Sequence, residues 1–126
     1  MIALADTSLF VAREADRPLR AEPPADVAVS VVTVGELRLG VLMADDIASR
    51  ERRLATLQLV LALEPIPIDT PIEEQWAGLV ARLRAARRRM PLNDSWIAAT
   101  ALTRGMAVVT QDDDFDDVPG LEVIKV

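Results

Sequence analysis

Leu92-Asn93-Asp94-Ser95-Trp96-Ile97-Ala98-Ala99-Thr100-Ala101-Leu102-Thr103-Arg104-Gly105-Met106-Ala107-Val108-Val109-Thr110-Gln111-Asp112 holds a helix, its stop signal, a buried strand and an acid at the strand end. Pro91 to Asp94 is a break, Ser95 to Thr103 reads as a helix, and Gly105 is its natural terminator. Ala98, Ala99 and Ala101 leave room for that helix to lie close on a sheet. Met106 to Thr110 is then a short apolar strand. Downstream, Asp112 to Val118 reads as a turn or a single helical turn, and Leu121 to Val126 as a last strand.

Upstream the same alternation continues. Met1 to Ala5 is too short for a helix and reads as a buried strand, followed by a helix from Thr7 to about Glu14. Arg17 to Ala25, with three prolines, is a loop. Val27 to Ser30 is a second strand, and a helix then runs to about Met43. Its cap is either Thr33, with Glu36 completing a capping box, or Ser30, with Glu36 in the second turn. Ile47 to Leu63 places Leu54, Leu57 and Leu61 at helical spacing before Pro65. Ile66-Pro67-Ile68 suits an edge strand, because Pro67 cannot donate to a ladder. Thr70-Pro71 reads as an N-cap and first-turn pair, opening a helix with Trp76, Leu79, Val80 and Leu83 on one face. Alternating strands and helices predict an α/β sandwich with a mainly parallel sheet.

Four acids fall where strands give way to turns or helices: Asp6, Glu36, Asp94 and Asp112. In parallel α/β sheets ligands bind beyond the carboxyl ends of the strands, which is also where the helices begin. All four can therefore reach one edge. Each alone has a structural alternative, as a helix cap for Asp6, Glu36 and Asp94 (or Asn93) or as a turn former for Asp112. Together they crowd like charge, which is unfavourable unless a cation compensates or protons are taken up. The chain has no histidine and no cysteine. That removes thiol nucleophiles, the Ser-His-Asp relay and the usual zinc ligand sets. A hard, oxygen-seeking cation remains, Mg²⁺ or Mn²⁺.

With 126 residues, 51% of them apolar, the chain is expected to form one domain, residues 1–126, around a single core. The start Met1 to Asp6 lacks a basic region and is not expected to be a signal peptide. No apolar run reaches the 18 or so residues that span a bilayer, so a cytoplasmic protein with no membrane partner is expected. A net charge of −6 argues against indiscriminate nucleic-acid binding. The positive charge nevertheless clusters, at Arg50, Arg52 and Arg53 and at Arg82, Arg84, Arg87, Arg88 and Arg89. These are either solvated helix faces or phosphate-holding surfaces beside a metal site.

Four segments carry a resemblance: Ala5-Asp6-Thr7-Ser8, Thr33-Val34-Gly35-Glu36-Leu37-Arg38-Leu39-Gly40, Leu92 to Ala101, and Thr110-Gln111-Asp112-Asp113-Asp114-Phe115. Their residues and order resemble the PIN domain, and more narrowly the VapC-type ribonuclease toxins of type II toxin-antitoxin pairs, across essentially the whole chain. The resemblance implies a three-layer α/β/α sandwich and an endoribonuclease dependent on Mg²⁺, with Mn²⁺ able to substitute. It makes Asp6 and Asp94 the principal metal ligands. Glu36 would bind a second ion or orient the attacking water, Asp112 fills the fourth acidic position, and Asp114 is accessory. Thr7, Ser8 and Thr110 would support the ligands, and Asn93 would fix the turn at Asp94. Gln111 departs from the pattern, since many relatives have Arg or Asn there, and Asp113 and Asp114 compete with Asp112 for the metal.

The implied chemistry is hydrolysis of an RNA phosphodiester by metal-activated water, leaving a 5′-phosphate and a 3′-hydroxyl. The Arg clusters would hold backbone phosphates of a tRNA, rRNA or mRNA, with a loop or single-stranded shape giving recognition. The implied partners are a small cognate antitoxin lying over the groove and a second copy in a homodimer or a toxin-antitoxin hetero-oligomer. Val41, Leu42, Leu59 and Val60 are candidate antitoxin contacts, or ordinary core. Two other readings compete. One is a PIN-like interaction module without catalysis. The other is an aspartyl-phosphate phosphatase with Asp6 as nucleophile, which lacks the usual second Asp at Ser8 and has its only lysine at position 125.

Overall fold

The computed structural model describes residues 2–126, so the predicted first residue of the opening strand, Met1, lies outside the described residues. The elements are β1 (Ala3–Ala5), α1 (Thr7–Glu14), β2 (Val27–Ala28), α2 (Val31–Leu42), α3 (Ile47–Leu61), α4 (Thr70–Ala85), α5 (Leu92–Arg104), β3 (Val108–Thr110) and β4 (Val123–Lys125). The four strands form one sheet in the order β2-β1-β3-β4, and every pairing is parallel. From β1 the chain turns one way to β2, while β3 lies on its other side. The reversal of strand order therefore falls between β1 and β3, the place where an α/β sheet opens a crevice.

Successive side chains of a strand point to opposite faces, and the two faces here build two cores. Ala3 and Ala5 of β1 pack with Val109, Leu9, Phe10, Val34, Leu37, Leu57 and Val60, which places α1, α2 and α3 on one side. Leu4 and Val108 pack with Leu79, Leu83, Ile97, Ala98 and Ala101, which places α4 and α5 on the other. This is the expected three-layer α/β/α sandwich. Phe115 and Val118 of the loop after β3 close the second core, so the turns between residues 111 and 117 are anchored from below.

Several local expectations shift. Of the two caps open for α2, Ser30 is the one used, its hydroxyl accepting from the Val32 N–H at 3.0 Å, with Glu36 in the second turn. Asp69 rather than Thr70 caps α4, by accepting from Ile72 N–H, with Thr70 already inside the helix. Leu92, Asn93 and Asp94 form the first turn of α5 instead of a break before it, and no side chain caps that helix. The edge strand at Ile66 reduces to one parallel bridge with Ser30, consistent with a proline following it. On α3 the buried stripe is Thr56, Leu57 and Val60, while Leu54 and Leu61 are exposed. The helix meets α1 and α2 along a narrower and slightly rotated face than its leucines suggest. Of the four candidate antitoxin contacts, Leu42 and Leu59 are exposed, whereas Val60 is core and Val41 packs against it.

Candidate metal-dependent nuclease site

Asp6 follows β1 directly and stands at the N-cap of α1, yet its side chain makes no capping hydrogen bond. The carboxylate is only 2% exposed, which is costly for a charged group used neither as a cap nor in an ion pair. Instead it accepts a hydrogen bond from the Thr110 hydroxyl at 2.9 Å. Parallel pairing of β1 with β3 makes this contact, because Ala5 lies beside Val109 and Asp6 N–H donates to the Val109 carbonyl.

Thr110 is the centre of a small network. Its one hydroxyl hydrogen goes to Asp6, so in its 3.2 Å contact with Ser8 the serine donates. The Asp112 N–H donates to the same threonine oxygen at 2.9 Å, and the Gln111 N–H donates to Ser8 at 3.0 Å. The chain after β3 is thereby tied to the start of α1, and Asp112 is turned towards Asp6. A second relay serves Glu36. Thr7 donates to its carboxylate at 2.7 Å and accepts from the buried Thr33, 3.0 Å away. Thr33 is a site residue that sequence reasoning used only as a possible cap. Its position one helical turn before Glu36 was the available signal.

Asp94, in the first turn of α5, is half-buried, and its carboxyl is pushed up to about 8. Burial is the largest cause, followed by the charge of Asp6, a hydrogen bond and charge from Asp114, and the charge of Glu36. Asp112 is exposed on its outer side, but its carboxyl is also raised, first by burial of its inner side and then by Asp6 and Asp114. Asp113 points away to Lys125, which also takes Asp116 at 2.8 Å, and its carboxyl is lowered by the Lys125 hydrogen bond. Of the three acids that compete at the end of β3, Asp112 and Asp114 thus face Asp6 and Asp94, and Asp113 does not.

Asn93 is exposed, and the turn at Asp94 is held by a different pair: Ser95 donates to the Leu92 carbonyl and accepts from the Trp76 indole N–H at 2.9 Å. Sequence reasoning missed Ser95 and placed Trp76 only on one face of its helix. Among the described residues, none of Asp6, Glu36, Asp94, Asp112 and Asp114 has a Lys or Arg salt-bridge partner. No three of them are drawn up in a geometry that would already enclose an ion. Carboxylates crowded without a counter-charge stay apart or take up protons, which agrees with the second fact. The donor set, oxygen only and negatively charged, fits a hard divalent cation.

Comparison with known proteins gives the family of the chain. The PIN domain family matches residues 3–121. The chain belongs to the PIN-domain family. Within it, this PIN domain is similar to the ribonuclease VapC4 of Mycobacterium tuberculosis, with 52% identity covering 98% of this chain and 96% of that one. Ribonuclease VapC5 of the same organism is 46% identical, over 96% and 93% of the two chains. A crystal structure of VapBC-5 from Mycobacterium tuberculosis, a member of the VapBC family of toxin-antitoxin systems, superposes with a TM-score of 0.89 at 43% identity, covering 99% of this PIN domain and 98% of that chain.

Proposed function

We propose that this chain is a VapC-type endoribonuclease toxin that hydrolyses RNA phosphodiester bonds with Mg²⁺, or Mn²⁺ in its place, and is held inactive by a cognate antitoxin in the cytoplasm. The observation that carries the reading is the buried Asp6 carboxylate. It caps nothing, pairs with no cation, and is aimed by Thr110 into the crevice where Asp94, Asp112 and Glu36 converge. VapC-named relatives and a VapBC neighbour support the RNA substrate and the antitoxin.

Asp6, Asp94, Glu36 and Asp112 would hold the ion, with Asp114 beside Asp94 as accessory. Bound there, the cation supplies Lewis acidity, neutralising charge at the scissile phosphate and making water acidic enough to attack near neutral pH. The chain's own residues prepare that chemistry. Thr110 and Thr7 fix the carboxylates of Asp6 and Glu36 by donating to them, leaving the remaining lone pairs free. The carboxyls of Asp94 and Asp112, raised in the free protein, would have to give up their protons to hold the ion. The phosphatase reading has no support in the geometry, because Lys125 is occupied by Asp113 and Asp116.

The test is cleavage of total cellular RNA by wild type, Asp6→Asn and Asp94→Asn with Mg²⁺ and with EDTA. Cleavage by the wild type that disappears in EDTA and in both folded variants is the expected result. Full activity of either folded variant, or cleavage that persists in EDTA, overturns it.

A further inference from the structure

A groove of about 400 Å³ runs between the last turns of α4 and the first turn of α5, one residue from Asp94. Its size falls within the range of sites that bind small ligands, roughly 300–1,000 Å³. Trp76, Met90 and Leu92 give it an apolar floor, and Arg84, Arg88 and Arg89 stand along it. Arg88 is engaged by Asp117, donating to its carboxylate at 3.0 Å and to its carbonyl at 3.1 Å, so it braces the wall against the acidic loop. Among the described residues neither Arg84 nor Arg89 has an acidic partner.

Aromatic placement points the same way. The chain has two Trp, two Phe and no Tyr. Both phenylalanines are buried, so Trp76 and Trp96 are the aromatic rings that solvent reaches. They stack on each other with centroids 4.2 Å apart and planes 5° from parallel, and Ser95 holds Trp76 by its indole N–H. Trp76 is thus held by Trp96 on one face and by Ser95 at its indole N–H, and it lines the groove. In an acidic protein, two unpaired guanidiniums beside a rigid ring suit an anion that carries a flat apolar group. A nucleotide has both parts.

We infer that this groove is a substrate subsite that takes one unpaired RNA nucleotide, its base against Trp76 and its flanking phosphates on Arg84 and Arg89. The inference rests on the ribonuclease reading for its choice of RNA. It also separates the two Arg clusters. Arg50, Arg52 and Arg53 lie on α3, across the sheet from α4 and α5, and do not line this groove. Stacking on a ring tolerates any base, so the subsite would select single-stranded over paired RNA more than it selects sequence.

The test uses the two tryptophans as the probe. A single-stranded RNA decamer is titrated into the whole protein in EDTA, with its integrity checked by gel and fluorescence quenching recorded. The expected result is saturable quenching that the Arg84→Ala/Arg89→Ala double variant weakens at least tenfold. That variant should also flatten the salt dependence by about 0.7 in log–log slope per lost phosphate contact. Arg50→Ala/Arg52→Ala serves as the charge-matched control and should bind within twofold of wild type. Absence of quenching, equal loss in the α3 control, or equal binding of a polyglutamate peptide of the same charge overturns the subsite. Failure of the ribonuclease reading shows differently: no cleavage with Mg²⁺, while Arg-dependent quenching persists.

Discussion

Replacing Asp94 by Asn should make the metal-free protein more stable while removing its response to Mg²⁺. The carboxyl is driven from 3.8 to about 8 by burial and by Asp6, Asp114 and Glu36. A carboxyl raised in the folded state favours the fold when protonated, so that contribution is fully present below about pH 4 and is lost as pH rises to about 8. At about 1.4 kcal/mol per pH unit the ceiling is ~5–6 kcal/mol. The group is only half-buried, and solvent screening reduces this to ~2 kcal/mol. For a chain of this length that corresponds to roughly 6–10 °C in Tm. Thermal unfolding followed by circular dichroism in EDTA, from pH 5.5 to 8.5, reads it directly: the wild-type Tm should fall with pH and Asp94→Asn should fall less. Adding Mg²⁺ at about a hundredfold above its Kd should return ~2.7 kcal/mol to the wild type and little to the variant. An Asp94→Asn protein that melts at or below wild type in EDTA, or gains as much from Mg²⁺, would refute the crowded-carboxylate account.

Other expectations follow from individual contacts. Thr110→Val removes the donor to Asp6 and the acceptor for Ser8 and the Asp112 N–H. It should cost about 1–3 kcal/mol in urea unfolding and lower RNA cleavage, whereas Thr110→Ser should restore much of both. Leu57→Ala should cost about 2–5 kcal/mol and Leu59→Ala about 0.5 or less, since one is buried and the other exposed two positions later on α3. Comparable losses would mean the helix is rotated. Arg87 holds a left-handed conformation, φ 56°, just past the end of α4, so Arg87→Gly should raise stability by about 1 kcal/mol. A fall in Tm would show that its side chain outweighs the backbone strain.

Alternation of short apolar runs with amphipathic stretches was enough to specify the sandwich, because strand and helix periods are local properties of the chain. The same locality placed Asp6, Glu36, Asp94 and Asp112 at the ends of elements on one edge of the sheet. Helix caps were less legible. Asp69 stands next to Thr70, which has similar capping chemistry, Ser30 lies three residues before Thr33, and α5 starts at Pro91 with no side-chain cap, so only the direction of the chain entering each helix decides where it begins. The face of α3 was misplaced for a related reason: its leucines mark a stripe, but the neighbouring helices decide how much of that stripe is covered.

Taken alone, the sequence determined the fold class, the edge on which the acids gather and the exclusion of thiol and imidazole chemistry. Tertiary structure decided which acids meet. Parallel pairing of β1 with β3 brings Thr110 to Asp6 across 104 positions of sequence, and the Lys125 ion pair turns Asp113 outward while Asp114 turns in. It also brought Trp76, Arg84 and Arg89 to the flank of Asp94. No local pattern encodes those meetings, because they depend on the packing of α4 against α5 and on which strands become neighbours.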